Sequence, residues 1–265
     1  MAAAADAVQV TRAKLAGALL LVATVAGVAA AQPRDPHAVQ PERPTVATHA
    51  GTVAPGWFEF ETGVERDHFD RSASVFSTPT VFKFGIAPRA QLSLGGSVVN
   101  NDAGTGSGDL FVGVKLRLLE DAPVVGDFAI LPSITFPTGS PRLGFGSGQR
   151  QGGLLLISSH EFGGVAMDIN LGYDAPHGWP SHASLWTISF GGPIRGRLGW
   201  TLEGFGFNED GGRTAAILAG PTYQPAKWLS FDTGLIVPLH GSQPHALYAG
   251  TVCNVGRFLP ARLTR

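Results

Sequence analysis

From Trp57 to the C-terminus, bulky apolar residues alternate with small or polar ones. Phe58, Phe60, Thr62 and Val64 interleave with Glu59, Glu61, Gly63 and Glu65. Phe82, Phe84 and Ile86 flank Lys83 and Gly85. Leu92, Leu94, Gly96 and Val98 alternate with Gln91, Ser93, Gly95 and Ser97. The longest such run sets Leu110, Val112, Val114, Leu116 and Leu118 against Asp109, Phe111, Gly113, Lys115 and Arg117. Val165 to Tyr173, Leu198 to Glu203 and Leu229 to Leu235 repeat the pattern. A period of two places the two sets on opposite faces of a β-strand. Ser74 to Thr80 and Gly152 to Phe162 carry the pattern only weakly.

The contents of the two faces separate a membrane barrel from a soluble sandwich. A soluble strand turns its apolar side to a packed core and a Lys/Glu-rich side to water. Here the polar side is rich in Gly, Ser and Thr with scattered charges, and the other side is bulky and uncharged. That division suits lipid outside and a polar lumen inside. Short connections at Ala87-Pro88-Arg89, Glu120 to Pro123, Gly163-Gly164, Gly192-Pro193 and Gln224-Pro225-Ala226 alternate with longer ones. The longer ones are 100–107, 137–151, 174–182, 208–212 and 238–244. Short periplasmic turns alternating with longer outer loops belong to outer-membrane barrels. The pattern predicts an all-β fold: a transmembrane antiparallel up-and-down β-barrel of about 12 strands over 56–265. Trp57, Tyr173, Trp179, Trp186, Tyr223, Trp228, Tyr248 and Phe258 fall near predicted strand ends, where interfacial aromatic girdles are expected.

Composition narrows the reading. The chain has 265 residues, 36 of them Gly and 19 Pro, which disfavours long helices. Charged residues make up 15%, against roughly 25% in a soluble domain. A formal net charge of −1 leaves no basic field for nucleic acid. The single cysteine, Cys253, excludes an internal disulfide and reads as a small apolar filler. Arg12 and Lys14 precede an apolar run, Leu15 to Ala30, that ends in Ala29-Ala30-Ala31. This has the form of a signal peptide, 1–31, cleaved after Ala31, and implies export to the outer membrane of a Gram-negative bacterium. Residues 32–55 contain Pro33, Pro36, Pro41, Pro44 and Pro55 and show no period. They read as an extended periplasmic segment or as a plug for the barrel mouth.

Several local patterns recur in a known order: Gly108-Asp109 with Gly113 and Lys115, Pro137-Thr138-Gly139, Asn170-Leu171-Gly172-Tyr173, and Asp232-Thr233-Gly234. Together they resemble the outer-membrane channel family of the phenol-degradation MetA-pathway type. The resemblance covers roughly 56–258. It implies a monomeric barrel, inserted by the barrel-assembly machinery, that passes small and often hydrophobic or aromatic compounds. Barrels of that kind commonly end on an aromatic residue, whereas Phe258 is followed here by Leu259 to Arg265.

The candidate lumen-lining residues are Glu59, Glu61, Asp109, Lys115, Arg117, Asp168, Asn170, Arg197, Glu203 and Asp232, with Lys83 and Glu65 on the same face. Charges inside a barrel must be solvated or paired, and rings of them can sort solutes. The expected function is passive passage of small solutes, with outer-membrane lipids as the surroundings. The alternative is a non-conducting structural barrel or a lipid-modifying, phospholipase-like one. His182-Ala183-Ser184 has a His-x-Ser spacing but lies at a predicted loop edge, and adjacent residues in Ser159-His160-Glu161 face opposite ways. No enzyme activity is expected. His177, His182, His240 and His245 fall in predicted outer loops without metal-ligand spacing, so neither metal nor cofactor is expected.

Overall fold

The alternating runs form strands that pair with their chain neighbours. The computed structural model describes residues 35–69, 74–176, 183–209 and 212–260. The expected signal peptide, Trp179 and the His182-Ala183-Ser184 histidine lie outside them. The strands are β1 (Trp57–His68), β2 (Ser74–Ala87), β3 (Ala90–Asn101), β4 (Gly104–Ser107), β5 (Leu110–Ala122), β6 (Gly126–Phe136), β7 (Gln151–Phe162), β8 (Val165–Pro176), β9 (Ala183–Arg195), β10 (Leu198–Glu209), β11 (Gly212–Ala226), β12 (Leu229–His240) and β13 (His245–Arg257). All pairings are antiparallel, and β1 pairs with both β2 and β13, so the sheet closes on itself. Short β4 and long β5 occupy successive stretches of the same wall position beside β3. The result is a closed 12-strand barrel. Closure leaves no edge strand of the kind an open sheet would turn to lipid.

The weakly patterned stretches are strands as well, β2 and β7, because both neighbours supply partners along their length. Three turns lie further on than the sequence suggests: Glu120 to Ala122 continue β5, and that turn falls at 123–125. Gly192-Pro193 and Gln224-Pro225-Ala226 continue β9 and β11, and the chain reverses at Gly196-Arg197 and Lys227-Trp228. Gly196 takes a left-handed φ of 60°, which favours glycine, so the tight turn forms there and not at Pro193.

The outward face carries Leu171, Trp186, Leu202, Leu235, Leu247 and Val255, all exposed, as a lipid-facing wall requires. The inward face holds Glu59, Lys83, Gln91, Lys115, Asn170 and Glu203, all buried. Tyr248 departs from the expected aromatic girdle. It points inward, 4% exposed, over Gly220 and Gly234, whose missing side chains leave it room. Phe258 follows β13, donates its backbone N–H to the Gly56 carbonyl and packs edge-on against Phe84.

Candidate functional site

What buries the inward charges is the proline-rich N-terminal segment. Residues 35–56 enter at the short-turn end, loop around the inner face within the lumen and return to β1 at the same end. At the short-turn end Asp35 pairs with Lys227 at 2.5 Å, and the His37 ring lies 5.0 Å from Trp57 and 6.3 Å from Trp228. An irregular segment has no partner strand for its backbone N–H groups, and burying them unpaired is costly. Inward side chains accept them instead. Gln40 N–H donates to Glu59 at 2.8 Å, and Glu42 N–H to Glu61 at 2.9 Å. The Val46 and Ala47 N–H groups donate to the two oxygens of Glu203 at 2.8 and 2.6 Å. Asn170 pairs with Thr48 as a strand would, accepting from its N–H at 2.7 Å and donating to its carbonyl at 2.9 Å. Ser159 and Gln91 take Ala50 and Val53. Proline, which brings no N–H, lowers the number of partners needed.

Two buried lysines tie the segment down. Lys83 pairs with Glu59 at 2.6 Å and with Glu61, and donates to the Gln40 carbonyl. Lys115 pairs with Glu42 and also donates to the Thr48 hydroxyl at 2.9 Å and to the carbonyls of His49 at 2.8 Å and Gly51 at 3.2 Å. That is more acceptors than an ammonium has N–H bonds, so the segment wraps around Lys115. Burial by itself would raise the Glu42 carboxyl, but Lys115 and Lys83 outweigh it and hold the group well below the usual carboxylate range. Burial, aided by the adjacent Lys115, pushes the His49 imidazole down to about 3. Arg43 reaches Asp232 at 3.3 Å. Its guanidinium lies over Gly63 and Gly250, which face each other across β1 and β13; a Cβ on either would stand 2.6 Å from Arg43 Cζ. Glycine on the inner face therefore makes room for the segment.

The other candidates fall elsewhere. Asp168 accepts from the Ser159 hydroxyl at 2.5 Å and lines an open cavity. Arg117 pairs with Glu120 at 2.8 Å near the short-turn rim. Arg197, expected on the inner face of a strand, sits exposed in the β9–β10 turn, because that turn forms at Gly196. It still borders the cavity. Asp109 anchors the longest outer connection. It accepts from Gly139 N–H at 3.0 Å and from both the N–H and the hydroxyl of Ser147 at 2.7 Å. Burial opposes ionisation there, but the Ser147 and Gly139 donors prevail and lower the carboxyl. Ser159 points inward, away from His160, which hydrogen-bonds Ser158 at 3.1 Å.

The lumen is not polar throughout. Phe205, Ala216, Leu218 and Tyr248 form a buried inward cluster, joined by Phe207, Ile236 and Val46 of the segment. Ala50 packs on Ala129 and Ile157, beside Leu131 and Leu155. The Phe205 cluster lies toward the long-loop end. At the short-turn end an open cavity of about 620 Å³ runs between the segment and β8–β12. Thr45 lines that cavity, while Val46, the next residue, packs on the apolar cluster. The apolar half was missed because the polarity of the faces inverts within β10. Leu202 faces out and Glu203 in, whereas Phe205 is 3% exposed and inward between Gly204 and Gly206.

A family model described as "Putative MetA-pathway of phenol degradation" matches residues 42–244. The chain belongs to this family. Its match begins at Glu42, inside the segment, so the family pattern takes in part of the lumen filling as well as the wall. Among solved structures, an outer membrane channel from Pseudomonas putida F1 matches with a TM-score of 0.59 at 11% identity, covering 84% of this chain and 99% of the other. The NanC porin matches with a TM-score of 0.52 at 9% identity, covering 74% and 98%. At such identities the likeness establishes the fold, a closed antiparallel β-barrel. No curated protein matches the sequence.

Proposed function

We propose that the protein is a monomeric outer-membrane channel for small solutes, aromatic or apolar compounds favoured, with residues 35–55 as its resident plug. The observation that carries this reading is the partition at Thr45 and Val46: a water-accessible cavity on one side, an apolar cluster on the other. Glu59, Glu61, Lys115, Asn170, Glu203 and Asp232 then hold the plug and meet solute only when it shifts. Asp168 and Arg197 border the periplasmic cavity directly. The apolar inner cluster favours solutes that shed water cheaply, since moving apolar surface out of water yields about 25 cal/mol per Å². Passage needs no catalyst, and channel and porin likenesses favour transport over lipid chemistry. On this reading residues 1–31 are removed on export, and Phe258, docked on Phe84, is the aromatic signal for the assembly machinery.

The test is conductance in planar bilayers for the mature chain with and without residues 35–55, alongside uptake of an aromatic solute and a size-matched sugar into liposomes. Deletion is expected to raise conductance, and the intact protein to prefer the aromatic solute. Absence of conductance in both forms, with neither solute taken up, overturns the channel reading.

A further inference from the structure

On the outer surface, near the long-loop end, the β12–β13 ladder stops early. Its last pair is Ile236 with Ala246, while β12 continues beside β11 through Val237 and Pro238. Pro238 has no N–H to extend a ladder. A groove of about 420 Å³ opens there, bordered by Arg66, His68, Leu235, Val237, His245 and Leu247. Its residues are sorted along the membrane normal. Leu235 pairs with Leu247 on the side toward the middle of the wall. His68 pairs with His245 at the rim, and Arg66 lies beside Leu247. Arg66 is exposed, and among the described residues it has no ion pair and no acidic side chain borders the groove.

We propose that this groove binds a phosphorylated, multiply acylated glycolipid of the outer leaflet. Leu235, Val237 and Leu247 take an acyl chain, and Arg66, His68 and His245 donate to a phosphate above it. The charge fits one occupant. An apolar solute leaves an exposed arginine and two imidazoles without a partner, whereas a phosphate accepts from all of them. The proposal depends on the outer-membrane location and not on transport.

The test is native mass spectrometry of the full mature protein titrated with bis-phosphorylated lipid A. The comparison is a triple variant, Arg66→Gln/His68→Gln/His245→Gln, and a control, Arg142→Gln/Arg150→Gln, altered on the longest outer loop. The triple variant is expected to bind about tenfold more weakly or worse, and the control like the unaltered protein. Val237→Phe, which fills the apolar end, is expected to weaken binding without touching the cations. Equal binding by the triple variant overturns the proposal. So does equal binding of dephosphorylated lipid A or of a neutral aromatic solute in the groove, or burial of the groove by a second copy. Cold gel mobility of each variant separates lost binding from lost folding.

Discussion

The two halves of the lumen follow opposite rules. Toward the short turns, inward carboxylates, amides and lysines are nearly all consumed by backbone groups of the N-terminal segment. Toward the long loops, Phe205, Phe207, Leu218 and Ile236 meet one another and Val46. A polar wall is specific: each donor or acceptor requires a partner at a set position, and losing that partner is costly. An apolar wall is tolerant, because burial of area is non-directional. The difference teaches how one barrel can hold its own segment firmly at one end and, on the proposed function, still receive varied small molecules at the other.

The sharpest way to break the contrast is Lys115→Met. It takes the nearest cation from Glu42 and the donor from the His49 and Gly51 carbonyls, and breaking a buried ion pair costs about 3–5 kcal/mol. The segment should become sensitive to protease and conductance should rise; unchanged protection and conductance would remove Lys115 as its anchor.

Acid should loosen the same half. His49 is held neutral and Glu42 ionised when seated, whereas both have ordinary affinities for protons once released. At these two groups the released state therefore binds more protons. Seating is full above about pH 6.5 and weakens as pH falls, first through His49 at up to about 1.4 kcal/mol per pH unit, then through Glu42 below about pH 4.5. Conductance recorded from pH 7.5 to 4 should increase on acidification, and a flat profile would contradict this.

Gly85→Ala probes room in place of charge. A Cβ there would enter the backbone of Ala54, which cannot swing aside as a side chain can. A cost of about 1–3 kcal/mol to seating is expected, read as faster proteolysis of the segment.

In the apolar half, Phe207→Ser should leave the segment seated and cut liposome uptake of an aromatic solute relative to a sugar. The smallest effect is expected for Asp109→Asn, about 1 kcal/mol, seen as earlier cleavage within 137–150 with segment protection unchanged.

Much of the wall is legible in the sequence, because strand faces obey a local period of two. Lys115 and Asn170 stand out as polar residues on an inward face, and Glu203 does too. Their partners do not. Glu42 and Lys115 lie 73 positions apart, and nothing in either neighbourhood points to the other. The turn at Gly196-Arg197 escapes a reading that treats Gly192-Pro193 as the stronger break, since proline at a strand end is tolerated.

By itself, then, the sequence determined a closed wall of two-faced strands with lipid outside, since alternation and connection lengths are local properties of the chain. Only the tertiary structure decided what fills that wall. The aperiodic proline-rich segment has no local preference of its own, and the inward Glu, Asn and Lys side chains of distant strands supply the partners that its backbone needs. Glycines that look like part of a smooth polar lining prove to be clearance for Arg43 and Ala54. The apolar outer half arises because Phe205, Leu218 and Tyr248, on β10, β11 and β13, are brought to one inner surface when successive strands pair and curve.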